Sequence, residues 1–426
     1  MKRSAILFIA FFMLAAIFSA CRDTTKELVS YKANVPVYMS FSDFRTSFAK
    51  TSPAEITNPG KMYFKDDYLF VNEYEKGIHV IDNSDPSKPK KVAFYKILGN
   101  VDMAIKGNIL FADSYIDLVS IDITDVENPV EKSRLQNVFP EIKPVGDVYY
   151  PYSSVDKSKG VIVDWQVKTI TEEHEAGWYR HEKFYGDIML MNSAASTGGT
   201  WSSGSGIAGS MARFMINDNY LYMISLPWRL KTADISDASK IEIKDSTDIP
   251  RNMETLFKLG SKMFIGTTTG MLIYDIANPI KPVQVSSYDH IKACDPVVAD
   301  GKYAYVTLRS GTTCQNTNNI LEVIDISSVA NPYLVKSYPM FNPHGLGVDG
   351  DLLFVCDGSA GLKIYDKSDP LMLLNNQIAH YPDFSTYDVI PYKHVLMLVG
   401  KDGIYQYDYS NPKNIKQVSY LKITEK

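Results

Sequence analysis

One segment of this chain is written seven times. An apolar run closing on an aspartate recurs as GIHVIDNSDP, LVSIDITDVENP, LKTADISD, MLIYDIANP, LEVIDISSVANP, LKIYDKSDP and IYQYDYSNP, with the aspartates at Asp82, Asp122, Asp234, Asp275, Asp325, Asp366 and Asp408. Successive spacings of 40, 112, 41, 50, 41 and 42 residues give a period of about 41 with one large and one small insertion. Ahead of each aspartate stands a turn flanked by apolar residues: DDYLFV, KGNILFA, NDNYLYMI, GSKMFIG, DGKYAYV, DGDLLFV and YKHVLMLV. Asp, Asn and Gly supply the positive φ of tight hairpins, so these are strand-turn-strand units. A shorter run such as KKVAFYKI, KPVQVSSY or YLVKSYP follows each aspartate. Four short strands per repeat exclude a solenoid of helix pairs and predict an all-β fold, a seven-bladed β-propeller of four-stranded antiparallel blades.

GIHVIDNSDPSKP, LEVIDISSVANP and their siblings resemble the LVIVD repeat, a propeller module of secreted and lipid-anchored bacterial proteins, over roughly residues 60–426 apart from one insertion. The resemblance implies a fold and no particular activity. Lys231, Thr232 and Gln406 stand where the repeat is usually apolar. An aspartate before Ser, Asn and Pro accepts hydrogen bonds from amides two or three residues on, so the seven recurrent carboxylates are expected to fix turns. None is assigned to a site.

Lys2 and Arg3, the run AILFIAFFMLAAIF, and Ser19-Ala20-Cys21 make residues 1–21 a secretory signal. Small residues before a cysteine resemble the lipobox of bacterial lipoproteins, which implies a diacylglyceryl group on Cys21, although Phe18 stands where Leu is usual. The expected location is the cell envelope, anchored in a bacterial membrane, with the outer membrane favoured and its periplasmic and surface sides both open. Residues 22–34 read as a flexible tether, and 35–426 as one propeller domain. VPVYMS at 35–40 is expected to pair with the last unit and close the ring. A net charge of -5 with scattered Lys and Arg excludes nucleic acid as a partner. The chain is expected to be a monomer.

The 112-residue spacing leaves an insertion at about 139–210, rich in aromatics including Trp165, Trp178, Tyr179 and Trp201. GVIVDWQVKTI alternates as a strand does, and with EEHEAGWYRHEKFYG it suggests a projecting hairpin followed by a Gly/Ser tail. Its aromatics either pack the hairpin onto the ring or form a platform for a sugar or peptide. His174 and His181 lack a further ligand nearby for a metal.

In CDPVVADGKYAYVTLRSGTTC the turn at Asp300-Gly301 brings Cys294 and Cys314 to one end of a blade, a disulfide in an exported chain. In PHGLGVDGDLLFVCDG the same arithmetic sets Cys356 across from His344. Asp295, His344 and Cys356 admit three readings: a nucleophilic Cys–His pair, a metal site, or a packed cysteine beside a structural histidine. Aligning the units by their turns places Lys61, Asp102, Arg213, Glu254, Asp295, His344 and Asp388 at one end of the innermost strands. They could solvate strand ends, or line a polar pocket for a small cationic or hydroxyl-rich ligand or a hydrated cation. No nucleotide-binding, zinc-protease or serine-hydrolase motif is present, and no cofactor is predicted. A binding scaffold for a carbohydrate, peptide or envelope protein is the first reading. A channel-based hydrolase or lyase on a carbohydrate or other small substrate is the second.

Overall fold

The first hairpin of each repeat turns on positive φ: Asp66 (54°), Gly107 (54°), Asp218 (51°), Gly260 (58°), Gly301 (59°), Gly350 (53°), and the Lys393–His394 pair (47° and 63°). Six of the seven turns thus use Asp or Gly, the residues that enter the left-handed region most cheaply. The computed structural model describes residues 26–140, 144–175, 207–208, 212–289, 296–310 and 318–424. In it the repeats become seven blades, at 59–96, 103–135, 214–248, 253–289, 297–339, 346–381 and 386–422, each with four strands paired antiparallel in sequence order. The first strand of each blade packs beside the first strand of the next, and that of blade 7 returns to that of blade 1, so the ring is closed. A short strand, Ile207–Ala208, adds to the channel-side edge of Pro59–Lys65 in blade 1, pairing with Phe64 and Tyr63.

Alternating strand direction gives the ring two distinct faces. One carries the starts of the first strands, the second-to-third turns and the blade-to-blade crossovers, and we call it the entry face. The first hairpins and the aspartate turns lie on the other. The insertion leaves blade 2 after Leu135 and rejoins before Phe214, so both its ends are on the entry face.

Two expectations about the N-terminal region are corrected. Residues 26–34, read as tether, belong to a strand, Lys26–Met39, and that strand pairs with Val161–Glu175 of the insertion instead of with blade 7. GVIVDWQVKTI is therefore a strand as expected, but its partner is the N-terminus. Alternation marks a strand; it does not say which edge it meets. Buried Asn34 locks the ribbon: its backbone amide donates to the Pro151 carbonyl (2.7 Å), and its side chain bonds Asp147 and Tyr150. A short helix, Phe41–Arg45, capped by Ser40, presents Phe44 to Tyr115 and anchors the ribbon base on blade 2.

Among the described residues no strand is exchanged between blades 7 and 1, and the ring closes through side chains and one backbone bond, from the Thr424 amide to the Ile56 carbonyl (2.8 Å). Met62, Phe64, Leu69 and Val71 of blade 1 form one core with Ile390, Met397, Val399 and Ile404 of blade 7. Gln406, an exception to the apolar pattern, sits in that seam. Its Nε2 donates to Asn83 Oδ1 (2.6 Å) and its Oε1 accepts from Asn83 Nδ2 (2.9 Å), with both residues buried.

Candidate functional site on the entry face

The seven repeat aspartates act as their spacing predicts. Each accepts, through Oδ1, the amide two residues on: Ser84, Thr124, Ser236, Ala277, Ser327, Ser368 and Ser410, at 2.7–3.0 Å. Side-chain hydrogen bonds from Thr124, Lys262, Ser368 and Ser410 are the larger cause at Asp122, Asp275, Asp366 and Asp408, and the amide bonds at Asp82, Asp234 and Asp325, in holding the carboxyls below the usual range. They are turn fixtures on the face opposite the insertion.

Three of the rim residues converge. Lys61 Nζ lies 2.9 Å from Asp102 Oδ2, a pair only 3% exposed on either side. The same oxygen accepts the Arg213 amide (2.6 Å), so blades 1, 2 and 3 meet at one carboxylate. Beneath it, buried Asp113 accepts the Val101 and Asp102 amides and Asn100 Nδ2 (2.7–2.9 Å). Arg213 Nη2 donates to the Ile224 carbonyl, whereas its Nε is buried without a hydrogen-bond partner among the described residues. Glu75 Oε1, on the blade 1 turn, is in the same condition. Burial pushes Asp113 up to about 6 and Glu75 up to about 7; Asp102 adds to the first and Asp113 to the second. Burial also lowers the pKa of Lys61 and Arg213, against the pull of Asp102. The sequence pointed to Lys61, Asp102 and Arg213 but missed Asp113 and Glu75, which lie on second strands and turns. Glu254 is half-buried on the first strand of blade 4, and Asp295 lies outside the described residues.

On blades 5 to 7 the Cys–His reading is corrected. His344 and Cys356 are neighbours through backbone, the His344 amide donating to the Cys356 carbonyl (2.7 Å). The ring turns elsewhere: Nδ1 faces Arg309 Nη1 (3.1 Å), Nε2 faces Asn342 (3.3 Å), and Tyr387 packs edge-on. Burial and the Arg309 charge push His344 down to about 3, so its imidazole is neutral. The Cys356 thiol is fully buried, and burial together with the charge of buried Asp388 raises its pKa, which is the opposite of nucleophile activation. Among the described residues no group of three or more His, Cys, Asp or Glu could hold a metal ion. The Cys294–Cys314 disulfide and the lipidation of Cys21 both fall outside the described residues.

The aromatic surface is also redrawn. Trp165 is 8% exposed, donates Nε1 to the Pro144 carbonyl (2.7 Å) and packs edge-on against Tyr152, so it is ribbon core. Trp178, Tyr179 and Trp201 lie outside the described residues. Exposed instead on the entry face are Tyr149 of the insertion, Trp228 on the turn of blade 3, and Phe341 on the crossover into blade 6. Phe341 is displayed by a fixed backbone: its amide donates to Asp357 and its carbonyl accepts from Asn319 Nδ2. The motif SLPWRL, an aromatic after Pro between two strands, is the signal that marks Trp228. A cavity of about 520 Å³ opens on the opposite face between blades 1 and 2, lined by Lys65, Asp66, Tyr68, Asn108, Asp125 and Glu127. Lys65 pairs with Asp66, and Asp125 is taken up by its own turn.

The LVIVD repeat family matches at residues 62–96 and 292–339, within blades 1 and 5 and their flanks. The chain carries LVIVD repeats on a seven-bladed β-propeller. Solved structures similar to this LVIVD-repeat propeller match it at low identity. The periplasmic gluconolactonase PpgL of Pseudomonas aeruginosa aligns with a TM-score of 0.52 at 9% identity, over 86% of this chain and 97% of that one. Sqt1 of Saccharomyces cerevisiae aligns at 0.49 and 8%, over 89% and 87%. BamB of Moraxella catarrhalis aligns at 0.48 and 7%, over 90% and 97%. No curated protein matches the sequence.

Proposed function

We propose that this LVIVD-repeat propeller is a lipid-anchored binding scaffold of the bacterial cell envelope, working through its entry face. Its ligand is a small cationic or hydroxyl-rich molecule held at the blade 1–3 end of the channel. The observation that carries this reading is two buried polar atoms, Arg213 Nε and Glu75 Oε1. Among the described residues this donor and this acceptor have no hydrogen-bond partner, and they stand beside Asp113 and the Lys61–Asp102 pair. Leaving such groups unmet costs on the order of 1–3 kcal/mol each, and a polar ligand that bonds them recovers it. Titration calorimetry with diamines and monosaccharides tests the reading. Binding weakened by Glu75→Gln supports it, and the absence of heat with every probe, or heat indifferent to the substitution, overturns it. Anchoring is checked separately by mass spectrometry of the mature N-terminus, where an unmodified Cys21 would refute it.

One observation favours the second reading, a hydrolase or lyase. Glu75 and Asp113 have pKa values raised toward neutrality at one site, the condition for a carboxyl that transfers protons. The likeness to a gluconolactonase concerns the fold alone and adds nothing to this. Turnover of a lactone or glycoside probe abolished by Glu75→Gln would establish the enzyme reading over the scaffold.

A further inference from the structure

Trp228 occupies a two-residue turn, Pro227-Trp228, between the strands Tyr220–Leu226 and Arg229–Asp234 of blade 3, and it is 45% exposed. The turn is held from outside as well as by its own strands. The Ile249 amide donates to the Trp228 carbonyl (2.7 Å), the Met253 amide to the Pro227 carbonyl (2.6 Å), and the Arg251 amide to the Ile249 carbonyl (2.7 Å). The crossover from blade 3 to blade 4 thus wraps the turn, while Pro227 fixes its own φ. The backbone that carries this exposed indole is fixed before any ligand arrives, which removes part of the entropic cost of binding.

Two arginine–carboxylate pairs stand in the segments that grip this turn. Arg229 makes a bidentate pair with Asp248 (2.7 and 3.0 Å), and Arg251 pairs with Asp289 on the last strand of blade 4. Asp248 and Asp289 are 61% and 65% exposed. Exposed pairs contribute little to stability, so their placement here has no strong folding rationale. They do present donors and acceptors side by side in fixed forks, next to an exposed aromatic face.

We propose that this crossover is a saccharide-binding platform, with the face of Trp228 stacking on a pyranose ring and the Arg229–Asp248 and Arg251–Asp289 pairs meeting its hydroxyls. A pyranose has an apolar C–H face that suits an indole, and a rim of hydroxyls that each donate and accept. Two cations against two carboxylates leave the platform electrically balanced, which favours a neutral sugar over a phosphorylated ligand or a charged peptide. This surface, on the second-to-third turn of blade 3, shares no side chain with the Lys61–Asp102–Arg213 site.

The test labels the full chain with 5-fluorotryptophan and follows its ¹⁹F resonances during titration with maltohexaose, cellohexaose, xylohexaose or chitohexaose, with Trp228→Phe assigning the Trp228 signal. At least one oligosaccharide is expected to shift that signal and to bind at least tenfold more weakly to Trp228→Ala, whose melting temperature stays that of wild type. Arg251→Gln is expected to weaken the same probe several-fold, and Glu75→Gln to leave it unchanged. The proposal is overturned if none of the four probes moves the Trp228 resonance at about 10 mM, the millimolar limit of a weak site. It is equally overturned if Trp228→Ala binds as wild type does. Loss of binding in Glu75→Gln alone would move the sugar to the channel end and likewise overturn the platform.

Discussion

Replacing Gln406 by Leu probes how the ring is closed. In wild type, Gln406 and Asn83 exchange two hydrogen bonds across the seam between blades 7 and 1, at 1% and 4% exposure. The introduced leucine would fill much of the volume but leave both Asn83 side-chain atoms buried without partners. At about 1–3 kcal/mol for each unmet group, the single substitution should cost about 2–6 kcal/mol. Unfolding entropy near 2.1 cal/mol/K per residue over about 400 residues converts this to a fall in melting temperature of about 2–7 °C. The double substitution Gln406→Leu with Asn83→Leu removes both polar partners and should recover most of the loss, because an apolar pair leaves nothing unsatisfied. Thermal melts and urea titrations of wild type, both singles and the double give the coupling energy directly. Singles within about 0.5 kcal/mol of wild type, the scale of an ordinary surface change, or a double that simply sums the singles, would refute the role of the amide pair in closure.

Other expectations follow from the same contacts. Glu75 and Asp113 have folded pKa values raised to about 7 and about 6, so the stability they contribute is complete below the ordinary carboxylate range and is lost as pH rises through those values. The melting temperature should therefore fall between about pH 4 and pH 7, and Glu75→Gln should flatten the fall; equal slopes in both proteins would contradict this. Cys356, buried and with its thiol pKa raised, should resist thiol reagents in the native protein and react only after denaturation, as peptide mapping can show. Removing residues 26–32, which are largely exposed, should leave the melting temperature within about 2 °C while making 169–175 sensitive to protease, because those residues alone lose their ladder partner. A large loss of stability in that deletion would mean the N-terminal strand does help to close the ring.

The sequence by itself determined the blades. Seven aspartates with a recurring period near 41, six of them with an Asp or Gly turn two dozen or fewer residues ahead, specify turns through their own side-chain and backbone chemistry, and such chemistry acts within a few residues. It also placed Lys61, Asp102 and Arg213 at one end of the first strands, since aligning repeats aligns their starts. Gln406 and Lys231 were visible as exceptions, yet what they bond, Asn83 in the next blade and the Val138 carbonyl of the insertion, belongs to other parts of the ring. Only the tertiary structure decided that Lys26–Met39 meets Val161–Glu175, because an alternating strand can pair with any free edge of matching pattern. It alone turned His344 toward Arg309 and sealed Cys356, and it buried Trp165 while leaving Trp228 in water. Burial depends on what packs over a residue, and packing partners come from segments far away in the chain.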